Sequence, residues 1–289
     1  MGERALARFL VLGAGGLVGR HIRAALAGRD AIYTYRRDAP PGDIQLDITN
    51  AAATRRLIND AVPTVVILAA ADAYVERCER EPESTKRVNV DAAAIVAKAA
   101  RAAGALLVVF SSEYVFDGTA GEYREEDERR PINEYGRQKV ALEDIALENG
   151  RGLVCRTSAV FGTDPNRKNF VYQLVDRLLA GQTFDVPSDQ LVTPTYAPSL
   201  ARAVVSLADR GLTGMFHVAG PEVMGRVEFA QVITSAYGLN PALLRPRPTS
   251  ELHLSARRPE RCGLRTDKLR KALRRPLVGV REALRELAH

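Results

Sequence analysis

The stretch "RFLVLGAGGLVGR", residues 8 to 20, constrains this chain more than any other. An apolar run reads as a buried strand, and Gly13, Gly16 and Gly19 follow it directly at the start of a helical pattern. Glycines here let the backbone turn tightly and approach a pyrophosphate, whose charge the helix N-terminus then stabilises. Leu17 and Val18 sit inside that loop-to-helix junction. The spacing is G-x-x-G-x-x-G, blurred by Gly15, and not the G-x-G-x-x-G of ordinary dehydrogenases. A glycine turn can join strand to helix for structural reasons alone. Strand, loop and helix in this order favour a dinucleotide.

The alternation continues. "AIYTY" (31–35), "TVVIL" (64–68), "ALLVVF" (105–110) and "GLVCR" (152–156) read as strands, with helical patterns over 17–27, 51–60, 84–103 and 135–149. That is the pattern of an α/β fold with a doubly wound parallel sheet of Rossmann type. After about residue 163 the texture changes to turn-rich stretches such as "GTDPNRKN" and "NPALLRPRPTS", with helices expected at 169–180, 198–209, 226–237 and 266–274. The division expected is a nucleotide-binding domain over 1–163 and a smaller substrate lobe over 164–289, part of which returns to the sheet.

At 289 residues and 46% hydrophobic, the chain can bury a sizeable core. The net charge of +6 invites a nucleic-acid reading, but the basic residues are interspersed with acids, as in "YREEDERR", and form no single basic block. No nucleic-acid partner is expected. The N-terminal apolar run is too short for a span and lacks a cleavage site, so no membrane association and a cytoplasmic location are expected. Cys78, Cys155 and Cys262 lie far apart without metal-ligand spacing, which indicates neither disulfides nor a metal site.

At the end of the second strand an acid selects the ribose hydroxyls of NAD, whereas Arg accommodates the 2′-phosphate of NADP. Here the strand ends "YTYRRD", so Arg36 and Arg37 favour NADP(H), and Asp38 keeps NAD(H) open.

The strand "VVFSSEYVFDG" (108–118) runs from core residues straight into Ser111, Ser112, Glu113 and Tyr114. Downstream, "NEYGRQKVALED" sets Tyr135 and Lys139 four residues apart on one helix face, where an ammonium can stabilise phenolate and make Tyr a usable acid or base. Alone, Tyr-x-x-x-Lys is weak. Its weight comes from following a glycine loop and a strand that ends in hydroxyls.

Together these parts resemble the extended short-chain dehydrogenase/reductase superfamily, and within it the dTDP-4-dehydrorhamnose reductase family. "SSEYVFDG", "YREED", "PINEYGRQK", "NFV", "DQLVTPTYAPSLA" and "ARRPERCGL" occur in the family's order over nearly the whole chain. The resemblance implies Ser112 as the hydroxyl that binds the substrate carbonyl, Tyr135 as proton donor, and Lys139 as the residue that holds the nicotinamide ribose. It implies that Asp47 and Ile48 flank the adenine, and that Ala69, Ala70 and Ala71 line the nicotinamide-side ribose and phosphates. Asn89 matches a position whose amide supports the active-site geometry. The implied activity is NADPH-dependent reduction of the C4 keto group of a nucleotide-linked, dTDP-linked 4-keto-6-deoxyhexose in deoxysugar biosynthesis. Glu113, Asn169, Arg257 and Arg258 are the candidates for binding that nucleotide sugar, and a homodimer is compatible with the pattern.

Some positions depart from the family. Ser112, Glu113 and Tyr114 replace Thr-Asp-Tyr; Ala159 stands where a Trp faces the sugar; Asp72 and Ala73 replace Tyr-Thr; Cys262 replaces Ser. These changes bear on the sugar more than on the chemistry. A 4,6-dehydratase would need a second carboxylate after Glu113, where Tyr114 stands. An NAD(P)-dependent epimerase needs only Ser, Tyr and Lys and stays open. So does a non-catalytic NADP-binding regulatory subunit, because the β subunit of methionine adenosyltransferase shares this fold and the "YVFDG" and "YREED" texture.

Overall fold

Phe9 and Val11 of the first strand point to one face of a sheet, and Leu10 and Leu12 to the other, all four fully buried. A strand buried on both faces needs a continuous apolar run, which is why these segments do not alternate with polar residues. The computed structural model describes residues 7–288. Its central sheet has seven strands in the order Gly214–His217, Gly152–Thr157, Leu106–Ser112, Val65–Leu68, Phe9–Leu12, Ala31–Tyr35 and Ile44–Gln45. All its pairings are parallel.

The helices Leu17–Ala25 and Ala197–Asp209 cover one face, through Ile22, Leu200 and Val204. Ala51–Ala61, Ala92–Ala102 and Glu134–Glu148 cover the other, through Ile58, Val96 and Leu142. This is the doubly wound α/β architecture. The chain moves outward from Phe9–Leu12 on one side and resumes at Val65–Leu68 on the other, so the strand order reverses between these two. Ligands of open α/β sheets bind in the crevice outside the carboxyl ends of the strands at such a reversal.

A separate core, formed by Phe161, Val171, Leu174, Phe229, Ile233 and Leu284, holds the helices Phe170–Leu179, Arg226–Ala236 and Val280–Ala288 together. From the same C-terminal half, Gly214–His217 returns to the central sheet beside Gly152–Thr157. Among the described residues, no helix is long and apolar enough to cross a membrane.

Two expectations need correction. The helix expected over 84–103 is interrupted: Pro82–Lys86 is followed by a π-helical turn, Arg87–Asp91, before Ala92–Ala102. Helical periodicity tracks apolar residues and does not see one residue inserted per turn. The strand expected over 105–110 continues through Ser112, because Ser111 and Ser112 still pair with Arg156 and Thr157. The ladder is made by the backbone and does not stop where side chains turn polar.

Candidate active site

The glycine loop is tight because two of its glycines leave no room for a side chain. Gly13 has φ +95°, and a Cβ there would meet Ala70 N at 2.5 Å; a Cβ on Gly19 would meet Gly13 O at 2.1 Å. Gly16 caps the helix Leu17–Ala25 with no side-chain bond, and no acid occupies the first turn, which leaves the helix N-terminus open to an anion. Leu17 and Val18 are half-buried at this junction. Across the strand reversal, Ala69 N and Ala70 N donate to Leu12 O at 2.9 and 2.8 Å, and exposure grows from Ala69 to Ala71 along the crevice wall. Arg36 and Arg37 are exposed just beyond Tyr35. Asp47 is exposed and accepts from Thr49 N and Oγ1 at 2.9 and 2.7 Å; these bonds, with some help from Arg36, hold its carboxyl below the usual range. Ile48 turns its side chain into the core. The loop therefore fits a dinucleotide: small residues where the chain must approach it, uncapped N–H groups, and cations at the end of the second strand.

The reacting end is assembled from the strand Leu106–Ser112 and the helix Glu134–Glu148. Asn133 starts this helix by accepting from Gly136 N at 2.8 Å. A Cβ on Gly136 would meet Tyr114 O at 2.2 Å, so only glycine lets the helix start lie on the turn that follows Ser112. That contact brings the Tyr135 phenol to the Ser112 hydroxyl. Lys139 is buried and donates from Nζ to Phe110 O at 2.9 Å, 5.4 Å from the centroid of the Tyr135 ring. Burial lowers Lys139 to about 8. Burial above all, then the Glu113 carboxyl, raises Tyr135 well above the ordinary phenol range, against the hydrogen bond with Ser112. The phenol is thereby kept protonated, a state suited to donating a proton.

Glu113 is buried behind Ser112. It accepts from Ser112 Oγ at 2.8 Å and from Ser158 Oγ at 3.1 Å, and burial raises its carboxyl. Asn89, held in the π-turn, accepts from Asp72 N at 2.8 Å and donates to Asp72 O at 2.9 Å and to Gln138 Oε1 at 2.8 Å. It ties the crevice loop to the residue beside Lys139.

On the open side, Tyr114 meets Tyr135 edge to face, with centroids 5.8 Å apart, and the Arg258 guanidinium lies 5.9 Å from the Tyr114 ring centroid. Arg258 Nη2 is paired with Glu76 at 2.7 Å. Arg257 is exposed, and its carbonyl accepts from Asn133 Nδ2 at 2.8 Å. Asn169 is buried as the cap of the helix Phe170–Leu179, donating from Nδ2 to Gly162 O at 3.0 Å and accepting from Tyr172 N at 3.4 Å. The structure thus brings Ser112, Tyr135, Lys139 and Arg258 to one crevice end, and turns the Asn169 amide into its own helix.

Sequence reasoning missed four features. Glu76 lies on a short helix, Val75–Arg80, that was not expected. Gly136 is inside "NEYGRQK", where its position beside Tyr135 was the available signal. Arg226 faces Tyr114, Glu113 and Arg258 from the start of the helix Arg226–Ala236. Behind the site, Glu143 accepts from Ser111 Oγ at 2.5 Å and from Arg156 Nε and Nη2 at 2.7 and 2.8 Å, with both ends of the ion pair buried. An Arg 13 residues from a Glu carries no sequence signal of that pairing.

Comparison with known proteins adds the following. The RmlD substrate-binding domain family matches residues 7–289. Methionine adenosyltransferase 2 subunit beta of Pongo abelii is 33% identical over 291 residues, spanning 96% of this chain and 87% of that protein. dTDP-4-dehydrorhamnose reductase of Mycolicibacterium smegmatis is 34% identical over 287 residues, spanning 96% and 84%. The crystal structure of dTDP-4-dehydrorhamnose reductase from Bacillus anthracis in complex with NADP superposes with a TM-score of 0.89 at 27% identity, covering 98% of this chain and 99% of that one.

Proposed function

Since this chain belongs to the RmlD substrate-binding domain family, we propose that it is an NADPH-dependent oxidoreductase that reduces the C4 keto group of a dTDP-linked 4-keto-6-deoxyhexose. The observation that carries this reading is the convergence of Ser112, Tyr135 and Lys139 at the carboxyl end of a central strand, beside a glycine loop that fits a dinucleotide. Bound NADPH would supply the hydride. In the reaction, hydride adds to C4 of the sugar, the carbonyl π electrons move to oxygen, and the Tyr135 proton completes the alcohol. Ser112 holds the carbonyl oxygen once its hydroxyl proton, donated to Glu113 at 2.8 Å in the free protein, turns to the substrate. Lys139, charged below about pH 8, offsets the phenolate left behind.

Gly13, Gly16, Leu17, Val18 and Gly19 take the pyrophosphate in this reading, Arg36 and Arg37 the 2′-phosphate, Asp47 and Ile48 the adenine, and Ala69 to Ala71 the nicotinamide half. Arg257 and Arg258 belong to the substrate side, and residues beyond 163 supply the lobe that receives the sugar nucleotide. Support for the cofactor comes from the NADP-bound B. anthracis reductase. The test is NADPH oxidation against a panel of 4-keto sugar nucleotides, with NMR of the product. No turnover with any of them would remove the reading.

One observation favours a second reading. The M. smegmatis reductase and the P. abelii methionine adenosyltransferase β subunit are almost equally identical to this chain. In that alternative the chain binds NADP and regulates a synthetase. Copurification with such a partner, without turnover of any keto sugar nucleotide, would select it.

A further inference from the structure

Arg226 is placed against elementary electrostatics. It is the first residue of an 11-residue helix, at the end where backbone N–H groups already concentrate positive charge. It is half-buried, and the only acid of the first turn, Glu228, is exposed to solvent. Arg258, its cationic neighbour, is matched by Glu76 at 2.7 Å. Among the described residues Arg226 has no such match, since the nearby Glu113 already accepts from Ser112 and Ser158. Burial lowers Arg226 from its ordinary value, with Arg258 adding to the effect.

The side chain is nevertheless held. Its guanidinium lies 4.8 Å from the centroid of the Phe170 ring, and Phe170 itself stacks on Phe229 at 5.5 Å. Its backbone N–H donates to Gln190 O at 2.9 Å, which anchors the helix start to the turn-rich stretch of the second lobe. A guanidinium resting on an aromatic face keeps its N–H groups available for a planar pair of oxygen acceptors. Gly225 caps the helix without a side-chain bond, so beyond Arg226 the first-turn N–H groups of Val227 and Glu228 have no capping side chain.

We propose that Arg226 is a further substrate-binding residue of this site, whose guanidinium, beside Phe170, receives a pair of diphosphate oxygens of the sugar nucleotide. The inference rests on the sugar-nucleotide reading above and adds a residue to it. Arg226 is close enough to Tyr114, Glu113 and Arg258 to feel their charges, and Tyr114 in turn meets the Tyr135 ring edge to face at 5.8 Å. The arriving anion would complete a charge arrangement that the protein leaves uncompensated.

Calorimetry with dTDP, UDP-glucose and UDP-glucuronic acid tests it on wild type, Arg226→Gln, Arg226→Lys and Arg258→Gln. Losing one charge-assisted pair should weaken binding at least about tenfold in Arg226→Gln, with partial rescue by Arg226→Lys. Equal loss for all three ligands is the expected result, since the diphosphate is their shared anionic group; loss confined to UDP-glucuronic acid would place Arg226 at a sugar carboxylate and overturn the inference. The melting temperature of Arg226→Gln should stay level or rise, because a cation leaves the positive helix end. Unchanged affinities in Arg226→Gln overturn the inference, and if Arg258→Gln is weakened at the same time, the sugar-nucleotide reading survives it. Wild type binding none of the three overturns both.

Discussion

Replacing Glu143 by Leu strands a cation in the core. The side chains of Glu143 and Arg156 are 0% and 2% exposed, so water screens neither partner. The carboxylate accepts two bonds from Arg156, at 2.7 and 2.8 Å, one from Ser111 Oγ, at 2.5 Å, and a longer one from the partly exposed Arg129, at 3.4 Å. Breaking a buried pair from one side costs about 3–5 kcal/mol, because the remaining charge is left uncompensated. At roughly 2–4 °C per kcal/mol for a domain of this size, the melting temperature should fall on the order of 10 °C. Removing both charges is a different perturbation, since well-packed apolar residues replace a buried ion pair at little cost. The double variant Glu143→Leu/Arg156→Met should therefore recover at least about half of the loss. Turnover should fall as well, because Glu143 stands one helical turn beyond Lys139 and fixes the residue next to Ser112. Scanning calorimetry of wild type, both single variants and the double variant is the assay. A single variant melting within about 2 °C of wild type, or a double variant worse than either single one, would refute the argument.

Tyr135→Phe removes only the phenol oxygen and should lower turnover by about two to four powers of ten, with NADPH affinity little changed in a fluorescence titration; near-normal turnover would end its assignment as proton donor. Alanine at both Arg36 and Arg37 should weaken NADPH far more than NADH, since only NADPH has the 2′-phosphate, and equal losses would show that these arginines do not read it. Lys139 titrates at about 8, below its ordinary 10.5. Reductive turnover should decline as pH rises through about 8, and a pH–rate profile flat to about pH 10 would contradict this. The same shift has a stability sign: between about 8 and 10.5 the unfolded chain binds more protons, so the contribution of Lys139 to stability rises with pH across that window.

Much of this protein was determined locally and was therefore legible in its sequence. Apolar runs long enough to be buried on two faces marked the central strands, and Gly13, Gly16 and Gly19 marked the turn, where a Cβ on Gly13 or Gly19 would come within 2.5 or 2.1 Å of a backbone atom. Tyr135 and Lys139 share a helix face because their spacing is a property of one helix. What required the tertiary structure depends on residues far apart in the chain. Ser112 meets Tyr135 because Gly136 lets a helix lie on Tyr114 O. The π-turn that aims Asn89 at Asp72 and Gln138 has no periodic signature. Arg258 finds Glu76 across 182 residues, while Arg226 is left beside it without a partner among the described residues. Whether an arginine is a neutralised surface residue or a cation waiting in a crevice depends on which carboxylates folding brings near it. Sequence order does not record that distance, because the Coulomb energy follows separation in space and the burial of both groups.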